Sequence, residues 1–189
     1  MRSRRGGAAS GPTSSGRVGR EIGGQTTPQM LVRMMADVVA LRPRAVHIMA
    51  GTNDIARNTG PMTRQQTCDN LAAMAMLARA NGIIVLLTNV PPAAAFPWRP
   101  GVETIAPIAE INRWIANDAR QTKAIHVDYS PVLGDGRGGI LSSLSHDGVH
   151  PTAAGYAAME LVLAPILGRL RLQADNPNVN KLMTINRPI

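Results

Sequence analysis

The chain has 189 residues, 44% of them hydrophobic and 17% charged, with a net charge of +8 and a single cysteine, Cys68. That balance belongs to one soluble globular domain and excludes a collagen-like, coiled-coil or mainly disordered chain, while one cysteine excludes an internal disulfide framework and a cysteine-based zinc site. The longest apolar runs, such as 83–87, fall far short of the roughly 20 residues that span a bilayer.

Residues 1–20 form a basic, Gly/Ser-rich arm in which Arg2, Arg4, Arg5, Arg17 and Arg20 supply +5 before the first acid, Glu21. No apolar segment follows the charged start, so no export signal is read and the chain as written is expected in the cytoplasm. An arm of this kind suits an acidic surface or nucleic acid. It has no aromatic residue on which a base could stack, however, and a solvated, disordered tail is the plainer expectation.

From Thr26 the pattern changes abruptly. Thr26 or Thr27 before Pro28 is a helix N-cap signal, and Leu31, Met34, Met35, Val38 and Val39 form one apolar stripe that should end near Leu41, ahead of Pro43. Residues 45–50 (AVHIMA) read as a short buried strand running into a loop over 51–60. Thr63 with Gln66 is a capping box, and Cys68, Leu71, Met74, Ala75 and Ala78 share a helical face that Asn81 and Gly82 stop.

Residues 83–88 (IIVLLT) are a second apolar strand, followed by a proline-rich loop over 90–101 that carries Phe96 and Trp98. Ile108, Ile111, Ile115 and Ala119 mark a third helix, residues 125–128 a third strand, and 130–150 a long Gly/Ser-rich loop. A last helix opens at Pro151 and runs to about Leu170, leaving a polar tail over 173–189. Helix alternating with continuous apolar strand predicts an α/β domain over 21–172 with a parallel sheet covered on both faces. The ten methionines read as gap-filling core.

In an open parallel sheet, sites form at the carboxyl ends of strands, and three polar motifs fall there. Gly51-Thr52-Asn53-Asp54 follows the first apolar strand, placing the Asn53 amide at a crevice edge. Asp147-Gly148-Val149-His150 brings a carboxylate and an imidazole within one turn, and Gly23-Gly24 offers bare backbone N–H groups ahead of the first helix. Acyl transfer needs a histidine base held in one tautomer by a carboxylate, with donors facing the oxyanion. Asp147 could orient His150, and the Asn53 amide and Gly24 N–H could donate. Other readings stand beside this one: His146, Asp147 and His150 as a metal cluster, His47 and His126 as core or satisfied polar residues, Asp54 as a partner of its own loop backbone. Phe96 and Trp98 either wall a substrate pocket or cover the sheet end.

Gly24-Gln25-Thr26-Thr27, Gly51-Thr52-Asn53-Asp54 and Asp147-Gly148-Val149-His150-Pro151 resemble the second, third and fifth sequence blocks of the GDSL, or SGNH, hydrolase family of esterases and lipases, over roughly residues 22–170. The resemblance implies a flavodoxin-like three-layer α/β/α sandwich, Gly24 and Asn53 as oxyanion donors, His150 as general base, Asp147 as its partner, and no metal or organic cofactor. It implies a small-molecule ester, acyl or acetyl, as substrate, from a family that takes lipids, short esters and acetylated sugars; relatives are often exported.

The family's first block is a Gly-Asp-Ser after a first strand that lies centrally in the sheet, and its serine is the nucleophile. This sequence has no Gly-Asp-Ser, and Ser3, Ser10, Ser14 and Ser15 are its only serines before Gly24. The sheet is therefore expected to lack its first strand, leaving the strand at 45–50 with an unpaired apolar edge. Residues 1–20 are expected to lie outside family sequence, with a pseudoenzyme as the competing explanation. The resulting expectation is a serine-esterase-type hydrolase whose present chain turns over little. A catalytically dead acyl- or carbohydrate-binding module is the alternative, and a nucleic-acid binder working through the arm is the third.

Overall fold

The computed structural model describes residues 16–170 and 182–185. Five strands, β1 (Arg17–Gly19), β2 (Ala45–Met49), β3 (Ile84–Thr88), β4 (Ile125–Val127) and β5 (Leu182–Ile185), form one sheet in the order β1-β5-β2-β3-β4. Every pairing is parallel. The helices are α1 (Thr27–Asp37), α2 (Thr52–Ile55), α3 (Arg64–Ala80), α4 (Ile105–Thr122), α5 (Ser130–Leu133) and α6 (Ala153–Arg169).

Successive strand residues point to opposite faces, and β2 shows what this does. Val46 and Ile48 join a core with Met30 and Met34 of α1, Leu71 and Met74 of α3, and Ile111 and Ile115 of α4. Ala45 and Met49 join the opposite core with Met159, Leu163 and Leu167 of α6. The product is the three-layer α/β/α sandwich, and all five residues of β2 are buried, as a strand covered on both faces requires. Six methionines, at 30, 34, 49, 74, 159 and 183, lie in these cores.

The sheet departs from expectation at its centre. β2 has no bare edge: β5 lies against it with Ala45 opposite Leu182 and Ile48 opposite Ile185. The other side of β5 takes β1, which lies within the segment read as an arm, while β5 itself lies within the segment read as a polar tail. Leu182, Met183 and Ile185 are at most 1% exposed. Buried backbone N–H and C=O groups need partners, and these four residues supply them to β2 and β1 together. The remaining arm residues, 1–15, lie outside the described residues. Of the arm's arginines, Arg17 is held by Glu160 of α6 through two contacts of 2.6 and 2.7 Å.

Local signals are otherwise followed closely. Thr63 and Gln66 form the capping box of α3. α1 is capped by Thr26, with Pro28 in its first turn, and ends at Asp37; a 3-10 turn carries the chain on to Leu41. The loop over 51–60 contains the one-turn helix α2. No helix among the described residues is long and apolar enough to cross a membrane.

If β5 holds the sheet together, Met183→Asp should lower unfolding stability by at least about 3 kcal/mol, since it places a charge in a core with no partner for it. Urea denaturation checks this. An unchanged midpoint would mean that the tail strand contributes nothing to the fold.

Candidate functional site

The turn leaving β2 needs a glycine. Gly51 has φ of +126°, and a Cβ there would come within 2.8 Å of a Val90 methyl. This sharp exit starts α2 at Thr52 and sends Asn53 and Asp54 in opposite directions. Asp54 turns inward and is 2% exposed. Besides a bond from its own backbone N–H, its carboxylate accepts the Thr27 N–H (3.0 Å) and Thr27 hydroxyl at the start of α1, and the Thr67 hydroxyl of α3 (3.3 Å). Burial pushes the Asp54 carboxyl up, against the lowering effect of the bonds from Thr27 and Thr67.

Asn53 turns toward the loop that leads into α1. Its Nδ2 donates to the Gln25 carbonyl at 2.9 Å, and its Oδ1 accepts from Asn58 Nδ2 at 3.0 Å. Asn58 Nδ2 also donates to the carbonyl of Gly24 at 3.2 Å. Gly24 itself has φ of +75°, a conformation suited to glycine, and lies in the exposed turn between β1 and α1. Two of the expected donors, from loops after different strands, are thus stitched to each other through a residue that carried no motif.

The second half of the site stands ahead of α6. Asp147 Oδ1 accepts the backbone N–H groups of Val149 (2.9 Å) and His150 (2.8 Å) and the Ser145 hydroxyl (3.2 Å), while its Oδ2 meets His150 Nδ1. Burial pushes the carboxyl up but is outweighed by the bonds from His150 and Val149, which hold it well below the usual carboxylate range. With Nδ1 directed at Asp147, Nε2 is the ring nitrogen left to act as a base. Gly155 lets the first turn of α6 close over this loop, because a Cβ there would lie 2.6 Å from the Leu144 carbonyl.

Trp98 joins the halves. Its ring lies 5.5 Å from that of His150 and stacks at 5.3 Å on Phe96, which is 1% exposed. Its Nε1 donates to Asn58 Oδ1 at 3.3 Å. Phe96 is therefore core, and Trp98 is a partly exposed cover at the histidine. His150, Asp147, Asn53 and Gly24 all fall within this one connected cluster at the carboxyl edge of the sheet.

The other polar candidates lie elsewhere. His47 is buried against Tyr129, with its Nε2 3.1 Å from the phenol oxygen. His126 is exposed and satisfied by Asn89 at 2.7 Å. Among the described residues, no three His, Cys, Asp or Glu side chains gather as a metal site would require. Ser145 lies on the Asp147 side of the pair, and Ser3, Ser10, Ser14 and Ser15 lie outside the described residues. The signal missed in the sequence is Asn58, five residues beyond Asn53, where the left-handed Arg57 (φ +57°) turns the chain back.

The sequence pattern of the GDSL-like lipase/acylhydrolase family matches residues 7–158, starting inside the segment whose composition sets it apart. The chain is 32% identical to the esterase TesA of Pseudomonas aeruginosa over 137 residues, which are 72% of this chain and 62% of that protein. It thus spans less than two thirds of the length of that relative. A crystal structure of a GDSL-like lipase from Bacteroides thetaiotaomicron superposes with a TM-score of 0.74 at 41% identity, covering 78% of this chain and 73% of the other. An acetylxylan esterase from Geobacillus stearothermophilus shares the fold with a TM-score of 0.62 at 18% identity, covering 75% of this chain and 67% of its own.

The depressed Asp147 carboxyl has a signed consequence. A carboxyl held lower in the folded state than in the unfolded chain stabilises the fold above its unfolded value of about 4, and that contribution fades as pH falls toward the folded value. Asp147→Asn should therefore be less stable than the parent at pH 7, and the gap in denaturation midpoint should narrow steadily below about pH 4. A gap that stays constant across this range would remove the hydrogen-bonded Asp147 carboxylate as its cause.

Proposed function

We propose that this chain, which belongs to the GDSL-like lipase/acylhydrolase family, is built for hydrolysis of carboxylic esters by a serine-type mechanism and holds, among the described residues, the parts of that machinery other than a positioned nucleophile. The observation that carries the reading is the contact chain from the Asp147–His150 pair through Trp98 and Asn58 to Asn53 and Gly24. A base, its orienting carboxylate and two donors converge at one sheet edge. Acyl transfer uses those groups together.

In the complete reaction a serine Oγ attacks the ester carbonyl and its proton passes to His150 Nε2. The carbonyl oxygen becomes the oxyanion, which the second Nδ2 hydrogen of Asn53 and the Gly24 N–H would receive. Collapse expels the alcohol, which takes the proton back from His150, and leaves an acyl-serine. Water, deprotonated by His150, then releases the acid and restores the serine. Asp147 keeps the imidazole in the useful tautomer and stabilises its charged form. Small acyl or acetyl esters are the substrate class, and no cofactor takes part.

The present chain is expected to turn over little. Its Ser145 hydroxyl is spent on Asp147 rather than on His150, and removing a triad nucleophile costs on the order of 10⁶ in kcat. That same observation favours the second reading, a binding module that keeps the crevice for an acyl or sugar ester without consuming it.

The full-length chain should leave a short-chain nitrophenyl ester at the background rate and take no label from a fluorophosphonate, a reagent that reacts with base-activated serines. Saturable ester binding without turnover would support the binding module. A normal hydrolysis rate abolished by His150→Ala, with label at Ser14, Ser15 or another serine, would overturn the expectation of inactivity and identify the nucleophile.

A further inference from the structure

We infer that Asn58 is a positioning residue that fixes which end of the Asn53 amide faces the crevice and ties that choice to the aromatic cover on His150. The inference rests on the reading of Asn53 as an oxyanion donor given above, but its geometry stands by itself. Arg57 adopts a left-handed conformation and Asn58 N donates to the Asn53 carbonyl at 3.0 Å. This turn folds the Asn58 side chain back over Asn53.

A carboxamide has nearly the same shape in either of its two flipped states, so only its hydrogen-bond partners decide where the NH₂ goes. For Asn53 those partners leave one solution. Its Oδ1 faces Asn58 Nδ2, a donor, and its Nδ2 faces the Gln25 carbonyl, an acceptor. A flip would oppose donor to donor and acceptor to acceptor at once. One Nδ2 hydrogen is used on Gln25, and the other remains for an incoming oxygen.

Asn58 is itself locked by the same reasoning. Its two Nδ2 hydrogens go to Asn53 Oδ1 and the Gly24 carbonyl, and its Oδ1 accepts from Trp98 Nε1. Those partners come from three segments: the start of α2, the turn after β1 and the loop after β3. The indole is thereby held beside the His150 ring. Asn58 touches neither Asp147 nor the His150 ring through any of these bonds. It acts on the site through Asn53, Gly24 and Trp98.

Asn58→Asp separates these roles, because a carboxylate still accepts from the Trp98 indole but has no hydrogen for Asn53 or Gly24. Nuclear magnetic resonance of the full-length ¹⁵N-labelled chain reads both, with the Asn53 side-chain amide identified by its loss in Asn53→Ala. In Asn58→Asp the Asn53 amide protons should exchange at least about tenfold faster than in the parent, while the Trp98 indole proton keeps its shift. Trp98→Phe should leave the Asn53 amide closer to the parent than Asn58→Asp does. Backbone amide protection in β2 and β3 shows that each variant is folded, which makes the side-chain result specific.

An Asn53 amide that exchanges alike in the parent and in folded Asn58→Asp would overturn the inference. So would equal effects of Asn58→Asp and Trp98→Phe on it, which would reduce Asn58 to a generic packing role. None of these readouts needs turnover. A chain that neither binds nor hydrolyses any ester therefore defeats the proposed function while leaving the tether measurable.

Discussion

A strand buried on both faces has no water along its edges, so its backbone groups must find neighbouring strands on either side. For β2 one neighbour is β3, the next strand along the chain, and the other is β5, which arrives from beyond α6. Among the described residues, β1 pairs with β5 alone. Both Gly24, which follows β1, and Asn53, which follows β2, are therefore held at their separation by β5 between them. Two strand spacings are about 9.6 Å, and the loops must lean inward over the end of β5 for Asn58 to reach Asn53 Oδ1 and the Gly24 carbonyl together.

Below that bridge lies a second constraint. The first N–H groups of a helix have no partner within it, and α1 begins where the chain is buried: Thr27 is 0% exposed. Asp54 meets this need by accepting the Thr27 N–H, and a negative group at a helix start is favoured by the helix dipole. With Asp54 fixed inward on α1 and α3, its neighbour Asn53 has only the crevice side available. The motif Gly51-Thr52-Asn53-Asp54 thus divides its work between an anchor and a donor, and the glycine makes the turn that separates them.

What could be read from the sequence was what neighbouring residues decide. The capping box at Thr63, the continuous apolar runs of β2 and β3, and the Asp147–His150 pair all depend on contacts within a few positions, and each is where the pattern put it. β5 was illegible because four residues amid polar sequence give no periodicity to count; its partners, from Arg17 to Ile48, lie at the other end of the chain. Asp54 was read as a loop residue because its partners, Thr27 and Thr67, are distant in sequence. The bond between Asn58 and Trp98 is illegible for the same reason: forty positions separate them, and nothing local to either announces it.

The strand order also bears on where a nucleophile would have to stand. On the proposed function, a reacting carbonyl held by Asn53 and Gly24 would sit above the end of the strand between their loops, and that strand is β5. By resemblance to the family, the strand in this central place is the one that delivers the serine. Here its last described residue is Ile185, which is wholly buried beside Ile48, and Thr184 before it carries the strand's one hydroxyl. Packing asks of this strand only that it fill the two cores and pair on both edges, and LMTI meets that demand. Catalysis asks in addition for a hydroxyl at its carboxyl end, a demand independent of the first. A sheet can therefore be completed by a strand that satisfies the fold whether or not it meets the second demand.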